Sequence, residues 1–382
     1  MSDGPRLRAG LRYCVLVFLG LRVAVSLLTV LGIGLIPPLK SGVGVPGWPA
    51  PPIVPGWQNA LWGLERQDAL WFLRIADTGY RANDGSAAFF PLYPMLVRVL
   101  SVLSGGRTLL AGIVVSNLSF LGALVVLYAL TTLEFSEAHA RTAVLLLAVF
   151  PTSFFFLAPY SESTFLFLAV SACWCARRDR WALAALAAAL AAMTRSIGIV
   201  LAPALLVEAV QQHRERGVPL VPRAGAALAT LLGPALVFLY WRAAFDDPTA
   251  PIDAQRRWER VATFPLRTLV DAVSSAWRYL DVWLLDVLVV GVVVICAVVG
   301  LWRLRPAYIV YVWASLAVPL AYPFPSRPLL SMPRFTVVIF PAFWVLADLI
   351  ERRRLPRAAV VAVLAGGLSL CTVLFVNWYD IF

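Results

Sequence analysis

The chain has 382 residues, 61% of them hydrophobic and 14% charged, with a mean hydropathy of +0.81. That composition excludes an ordinary soluble domain and leaves a polytopic membrane protein, because apolar runs of membrane length recur throughout. The formal net charge of +11 does not imply nucleic acid: the arginines fall in short clusters between apolar runs, where they set orientation.

In chain order, spans are predicted at residues 12 to 36, 108 to 132, 142 to 158, 161 to 176, 224 to 245, 283 to 302, 306 to 322, 335 to 350 and 357 to 377. Residues 181 to 193 and 197 to 210 flank Thr194-Arg195-Ser196, and each half is marginal as a span. They read as a re-entrant hairpin or as two short tilted helices. The expected fold is all-α: about nine full transmembrane helices plus a short helical hairpin, in a single domain over residues 1 to 382. The first apolar stretch is too long for a signal sequence and precedes no small-residue cleavage site, so it is read as retained.

Arginines at Arg6 to Arg12, Arg177 to Arg180, Arg214 to Arg223, Arg303 with Arg305, and Arg352 to Arg354 place the N-terminus in the cytoplasm in one consistent threading of the plasma membrane. That threading exposes residues 38 to 107, 246 to 282 and 323 to 334 on the extracytoplasmic face. Within the first loop, Asp68 to Ala76 and Phe90 to Leu103 have the spacing of short interfacial helices. The five cysteines lie in or at the ends of apolar runs without metal-ligand spacing, so neither disulfides nor zinc are expected.

Candidate chemistry gathers in those outer segments. Asp68 opens a helical pattern, where a carboxylate serves as a helix cap or, shielded by aromatics, as a general base. Glu162, within Tyr160-Ser161-Glu162-Ser163, reads as a solvated turn residue or as a partner for an arginine. Arg195 interrupts an apolar region, a position usually paired or facing a polar cavity. Arg334 directly precedes a span, where it snorkels to lipid phosphate or binds the phosphate of a lipid substrate. Gln255, beside Arg256, Arg257 and Trp258, belongs to a set of groups common to sugar recognition and to ordinary interfacial loops. Phosphate-binding glycine loops, dinucleotide fingerprints and His-based metalloprotease motifs are absent from the sequence.

Gln67-Asp68-Ala69 through Gly79-Tyr80, Phe89-Phe90-Pro91-Leu92-Tyr93-Pro94, Tyr160-Ser161-Glu162-Ser163, Thr194-Arg195-Ser196-Ile197-Gly198 and Pro333-Arg334-Phe335 through Pro341 together resemble the PIG-V-like mannosyltransferases, of the GT-C class of membrane glycosyltransferases. Eukaryotic members add the second mannose of the glycosylphosphatidylinositol anchor; the compact loops and Arg/Ala-rich style here look more like a bacterial member, so that acceptor is not carried over. One departure is visible: the family usually has Trp before the Asp, where this chain has Gln67.

The resemblance implies transfer of mannose from a polyprenyl-phosphate donor on the extracytoplasmic face, with inversion and with Asp68 as base. It further implies that Arg195, Arg334, Glu162, Tyr160 and Tyr93 bind substrate; Gln255 is expected to join them on the strength of its amide alone. No cofactor is expected, nor a divalent metal. Lipid, glycan or protein could be the acceptor, and membrane lipids surround the chain. Two other classes are compatible with the same features: a polytopic transporter or lipid flippase, since a buried arginine and a broken helical pair also suit a substrate pathway, and a noncatalytic membrane subunit.

Overall fold

Prolines decide where this apolar chain stops being helical. In the computed structural model, which describes residues 4–257, 260–279, 281–352 and 354–381, the described residues form helices and turns without a β-strand. Helix α1 (Gly4–Leu35) is followed by a Pro/Gly-rich stretch, the single turn α2 (Asn59–Trp62), α3 (Asp68–Thr78) and α4 (Leu92–Leu103). Then come α5 (Thr108–Glu134), α6 (Glu137–Ala148), α7 (Glu162–Arg177), α8 (Trp181–Thr194) and α9 (Leu201–Arg216). Helices α10 (Leu220–Leu228) and α11 (Leu232–Phe245) join through one 3-10 turn. The rest are α12 (Ala250–Arg257), α13 (Pro265–Tyr279), α14 (Val282–Gly300), α15 (Pro306–Leu320), α16 (Met332–Thr336), α17 (Pro341–Glu351) and α18 (Arg357–Val376).

Six helices among the described residues are long and apolar enough to cross a membrane: Arg8–Leu35, Thr108–Glu134, Ser196–Arg216, Leu220–Phe245, Val282–Gly300 and Arg357–Val376. The chain is a multi-pass membrane protein, but with six such helices rather than the nine expected. Five expected spans are present, together with the second half of the expected hairpin, whose first half is the shorter α8. Of the other four expected spans, the one at 161 to 176 is α7, of the expected 16 residues but under membrane length, and the remaining three are cut short. Pro151 and Pro159 separate α6 from α7, Pro319 lies in the last turn of α15, and Pro333 and Pro341 open α16 and α17. Proline removes a donor and clashes with the preceding turn, which hydropathy alone does not register.

The broken stretches are not surface loops. Every residue from Pro151 to Tyr160 is buried, with Phe154, Phe155 and Phe156 fully enclosed. The two breaks also bond to each other, Thr152 Oγ1 donating to Pro333 O at 2.9 Å, and Tyr311 of α15 satisfies the second break by donating to Val338 O at 3.1 Å. Irregular backbone at membrane depth is tolerated only where protein satisfies it in this way.

At the opposite end of the bundle, Arg177 bridges Glu134 at 2.5 Å and Glu208 at 3.0 Å, Tyr308 donates to Glu134 at 2.9 Å, and Gln212 donates to Glu208 at 2.8 Å. These bonds tie α5, α7, α9 and α15 together. Of the two expected interfacial helices, α4 exposes Met95, Leu96, Val99, Val102 and Leu103, an apolar face suited to lipid. By contrast α3 is enclosed, with Ala69 to Ala76 all buried, because α4 and α5 pack against it and its Arg74 donates to Gly79 O at 3.0 Å and pairs with Asp84. Residues 246 to 282, expected to be loop, hold α12 and the amphipathic α13.

Candidate active site

The site begins with an unusual turn. Ala69 N donates to Arg66 O at 3.1 Å while Gln67 has φ 55° and ψ −125°, the first central position of a type II′ turn, where glycine is preferred. Contacts of the preceding Arg66 hold the turn. Arg66 is locked in place: its Nε donates to Val376 O at 3.1 Å, and its guanidinium lies 5.5 Å from the Trp378 ring centroid. Its carbonyl also accepts the Tyr160 hydroxyl at 3.0 Å. The turn starts α3 abruptly and puts Asp68 at its first residue.

Asp68 is not a cap. Among the described hydrogen bonds its carboxylate accepts from Arg334 Nη1, at 2.5 Å, and from no backbone amide. Its side chain keeps 23% exposure while Arg334 keeps 9%. Arg334 also pairs through Nε with Glu162 Oε1 at 3.1 Å, and the same Glu162 oxygen takes Arg195 Nη1. Glu162 is fully buried, and its other oxygen, Oε2, has no hydrogen-bond partner. Burial alone would lower the Arg334 pKa, but Asp68 and Glu162 outweigh it and raise the value, so the guanidinium stays charged.

Glu162, Arg334 and the partly buried Arg195 each sit at a helix break. Glu162 follows the Pro159 break, Arg195 separates α8 from the next 3-10 turn, and Arg334 lies in the short α16. The structure thus joins four sequence-predicted residues, Asp68, Glu162, Arg195 and Arg334, into one ion-paired chain. Tyr160 supports it: its ring centroid lies 5.5 Å from the Arg334 guanidinium, and burial pushes its hydroxyl well above its usual pKa, so it donates rather than ionises.

Two predicted residues are not brought to the cluster. Tyr93 is fully buried and bonds to Gly112 O at 3.1 Å and Ser116 Oγ at 2.8 Å, packing edge-on against Phe72. It braces α3 against α5. Gln255 lies half-buried on α12, which packs on residues 86 to 88.

Sequence reasoning missed a third guanidinium. Arg260 lies 6.0 Å from the Phe335 ring centroid, around which Arg195 and Arg334 stand at 5.1 Å and 5.3 Å. Burial, and then the charge of Arg334, push the Arg260 pKa down to about 10. Nothing in its local spacing marks it; only the fold brings it here. Gln67 Nε2, next to Asp68 in the chain, is buried without a hydrogen-bond partner.

The sequence profile of the family described as Mannosyltransferase (PIG-V) matches residues 13–221, more than half of the chain. GPI alpha-1,6-mannosyltransferase 2 of Mus musculus is 38% identical over 153 residues, which are 37% of this chain and 31% of that protein. GPI mannosyltransferase 2 of Drosophila pseudoobscura pseudoobscura is 32% identical over 123 residues, 30% of this chain and 27% of that protein. The chain therefore matches less than a third of the length of these relatives. Among solved structures, ArnT from Cupriavidus metallidurans bound to undecaprenyl phosphate superposes with a TM-score of 0.55 over 95% of this chain and 76% of that one. At 14% identity this likeness is one of fold alone. Asp68, Tyr160, Glu162 and Arg195 all fall inside the matched segment, and on that match the chain belongs to the PIG-V mannosyltransferase family.

Proposed function

We propose that the protein is a membrane glycosyltransferase that moves a sugar, mannose by family likeness, from a polyprenyl-phosphate carrier to a hydroxyl of a lipid, glycan or protein acceptor. The reaction takes place on the extracytoplasmic face of the plasma membrane. One observation carries this reading: a partly exposed carboxylate, Asp68, shares a buried guanidinium with the enclosed Glu162. The pair combines a group that can take a proton with a cation suited to phosphate oxygens.

In this scheme the donor phosphate competes with Asp68 for Arg334. Once Arg334 turns to the phosphate, Asp68 is free to accept the proton of the acceptor hydroxyl. The acceptor oxygen then bonds to the anomeric carbon, and the bond from that carbon to the phosphate oxygen breaks with its electron pair on the phosphate. Attack from the face opposite the leaving group gives inversion. Arg195 and Arg334 stabilise the charge that grows on the phosphate, and phosphate leaves readily enough that no second carboxylic acid is required. The scheme calls for neither cofactor nor metal ion.

The test is incubation of the purified protein with polyprenyl-phosphate mannose and a membrane lipid extract, followed by mass analysis. A mannosylated product and free polyprenyl phosphate are expected. If the donor returns intact with every acceptor fraction, while the protein is folded, the proposal fails.

A further inference from the structure

Arg260 approaches the cluster on a segment held against the end of α15. Thr263 N donates to Ala321 O at 2.9 Å, Val261 N to Pro323 O at 3.3 Å, and Arg260 Nη1 itself to Tyr322 O at 3.1 Å. Its guanidinium lies 4.6 Å from the Phe324 ring centroid and 6.0 Å from that of Phe335. Among the described residues no carboxylate pairs with it, whereas Arg195 and Arg334 share Glu162 and Asp68. The neighbouring buried Arg66 has its own counter-charge in Glu65. Among the described residues, three guanidiniums around Phe335 thus face two carboxylates, leaving one positive charge in excess in a partly buried place, which favours an anion there.

Resting on the donor chemistry proposed above, we infer that Arg260 is a third phosphate-binding arginine, whose charge matches the cluster to a lipid phosphate through the whole transfer. A sugar-loaded polyprenyl phosphate is a diester with one negative charge, equal to the excess. During transfer Asp68 gains a proton and becomes neutral, so the cluster then carries two positive charges in excess. The leaving phosphate simultaneously becomes a monoester with about two negative charges. Without Arg260 the cluster falls one charge short at both stages, and the shortfall weighs more on the doubly charged product.

The experiment compares the full-length protein with Arg260→Gln, which keeps a donor for Tyr322 O, and with Arg260→Lys. Binding of polyprenyl phosphate and of polyprenyl-phosphate mannose is titrated in nanodiscs, with thermal unfolding as the folding control. Arg260→Gln should weaken polyprenyl phosphate by roughly 10- to 100-fold, the worth of one charged hydrogen bond, and the mannose-loaded lipid by less. Arg260→Lys should restore binding at pH 7 and lose it by about pH 9, because a partly buried amine beside Arg334 deprotonates early, while the wild type, whose Arg260 titrates at about 10, should hold its affinity up to about pH 9 and lose it only above that. If Arg260→Gln binds polyprenyl phosphate like the wild type while Arg334→Lys does not, Arg260 is only a brace and the inference falls. If Arg334→Lys and Arg195→Lys also bind normally, the donor chemistry itself falls with it.

Discussion

Asp68 and Glu162 are both acids paired with Arg334, yet their removal should have opposite signatures. Glu162 is fully buried and its Oε1 receives both Arg195 and Arg334. Glu162→Gln leaves two buried guanidiniums with one carboxylate between them, and breaking a buried pair of this kind costs about 3–5 kcal/mol. Asp68 keeps 23% exposure and contributes one contact to an arginine that retains Glu162, so Asp68→Asn should cost about 1–2 kcal/mol, between an exposed pair and a buried one. Catalysis reverses the order: Asp68→Asn should lower transfer by at least about 100-fold, the lower range for a lost general base. Thermal unfolding in nanodiscs, followed by the fluorescence of the 14 tryptophans, reads the first quantity, and initial rates of mannose transfer read the second. Equal destabilisation by both variants, or near-normal transfer by Asp68→Asn, would refute the division of roles.

Three further outcomes follow from the same geometry. Arg334→Lys keeps the charge but loses the fork that reaches Asp68 and Glu162 together, so kcat/KM for the lipid donor should fall roughly 10- to 100-fold; unchanged donor kinetics would make Arg334 an ordinary interfacial cation. Gln67→Gly removes a left-handed residue and an unpartnered buried amide, and should be neutral or stabilise by about 1 kcal/mol; a lower unfolding temperature would show that the Gln67 side chain holds the turn. Ala82 is exposed, and a cysteine placed there should react with an impermeant maleimide on intact cells. Labelling only after permeabilisation would invert the orientation.

Asp68, Glu162, Arg195 and Arg334 stand out in the sequence because each is a charge set in apolar or aromatic surroundings. Their joining does not, since Asp68 and Arg334 are 266 residues apart and no periodicity links them. The helix breaks at Pro151, Pro159, Pro333 and Pro341 were legible as prolines, but hydropathy averages over them and so overstates the number of long spans. Residues 265 to 279 looked like loop because Arg267, Asp271 and Arg278 dilute the apolar count. The fold arranges them as a helix that buries Thr268, Ala272 and Ala276 and exposes Leu266, Val270, Val273 and Trp277. Arg260 was masked in the same way: as a cation in a segment expected on the extracytoplasmic side it conflicts with the orientation rule, and only its contacts with Phe324 and Phe335 give it a place. Tyr93 carries a motif signal that the structure assigns to bracing α3 rather than to the cluster.

Helix α7 has 16 residues, with Glu162 at its first position and Arg177 at its last. Its length is about 24 Å, so the two charged layers it joins stand closer together than the roughly 30 Å of hydrocarbon in a typical bilayer. Either the membrane thins around this protein or the Glu162 layer lies sunk below the lipid headgroups. In both cases bilayer thickness becomes a parameter of the site: a thicker membrane lifts the phosphate of any lipid away from Arg334, and a thinner one brings it down to meet the guanidinium.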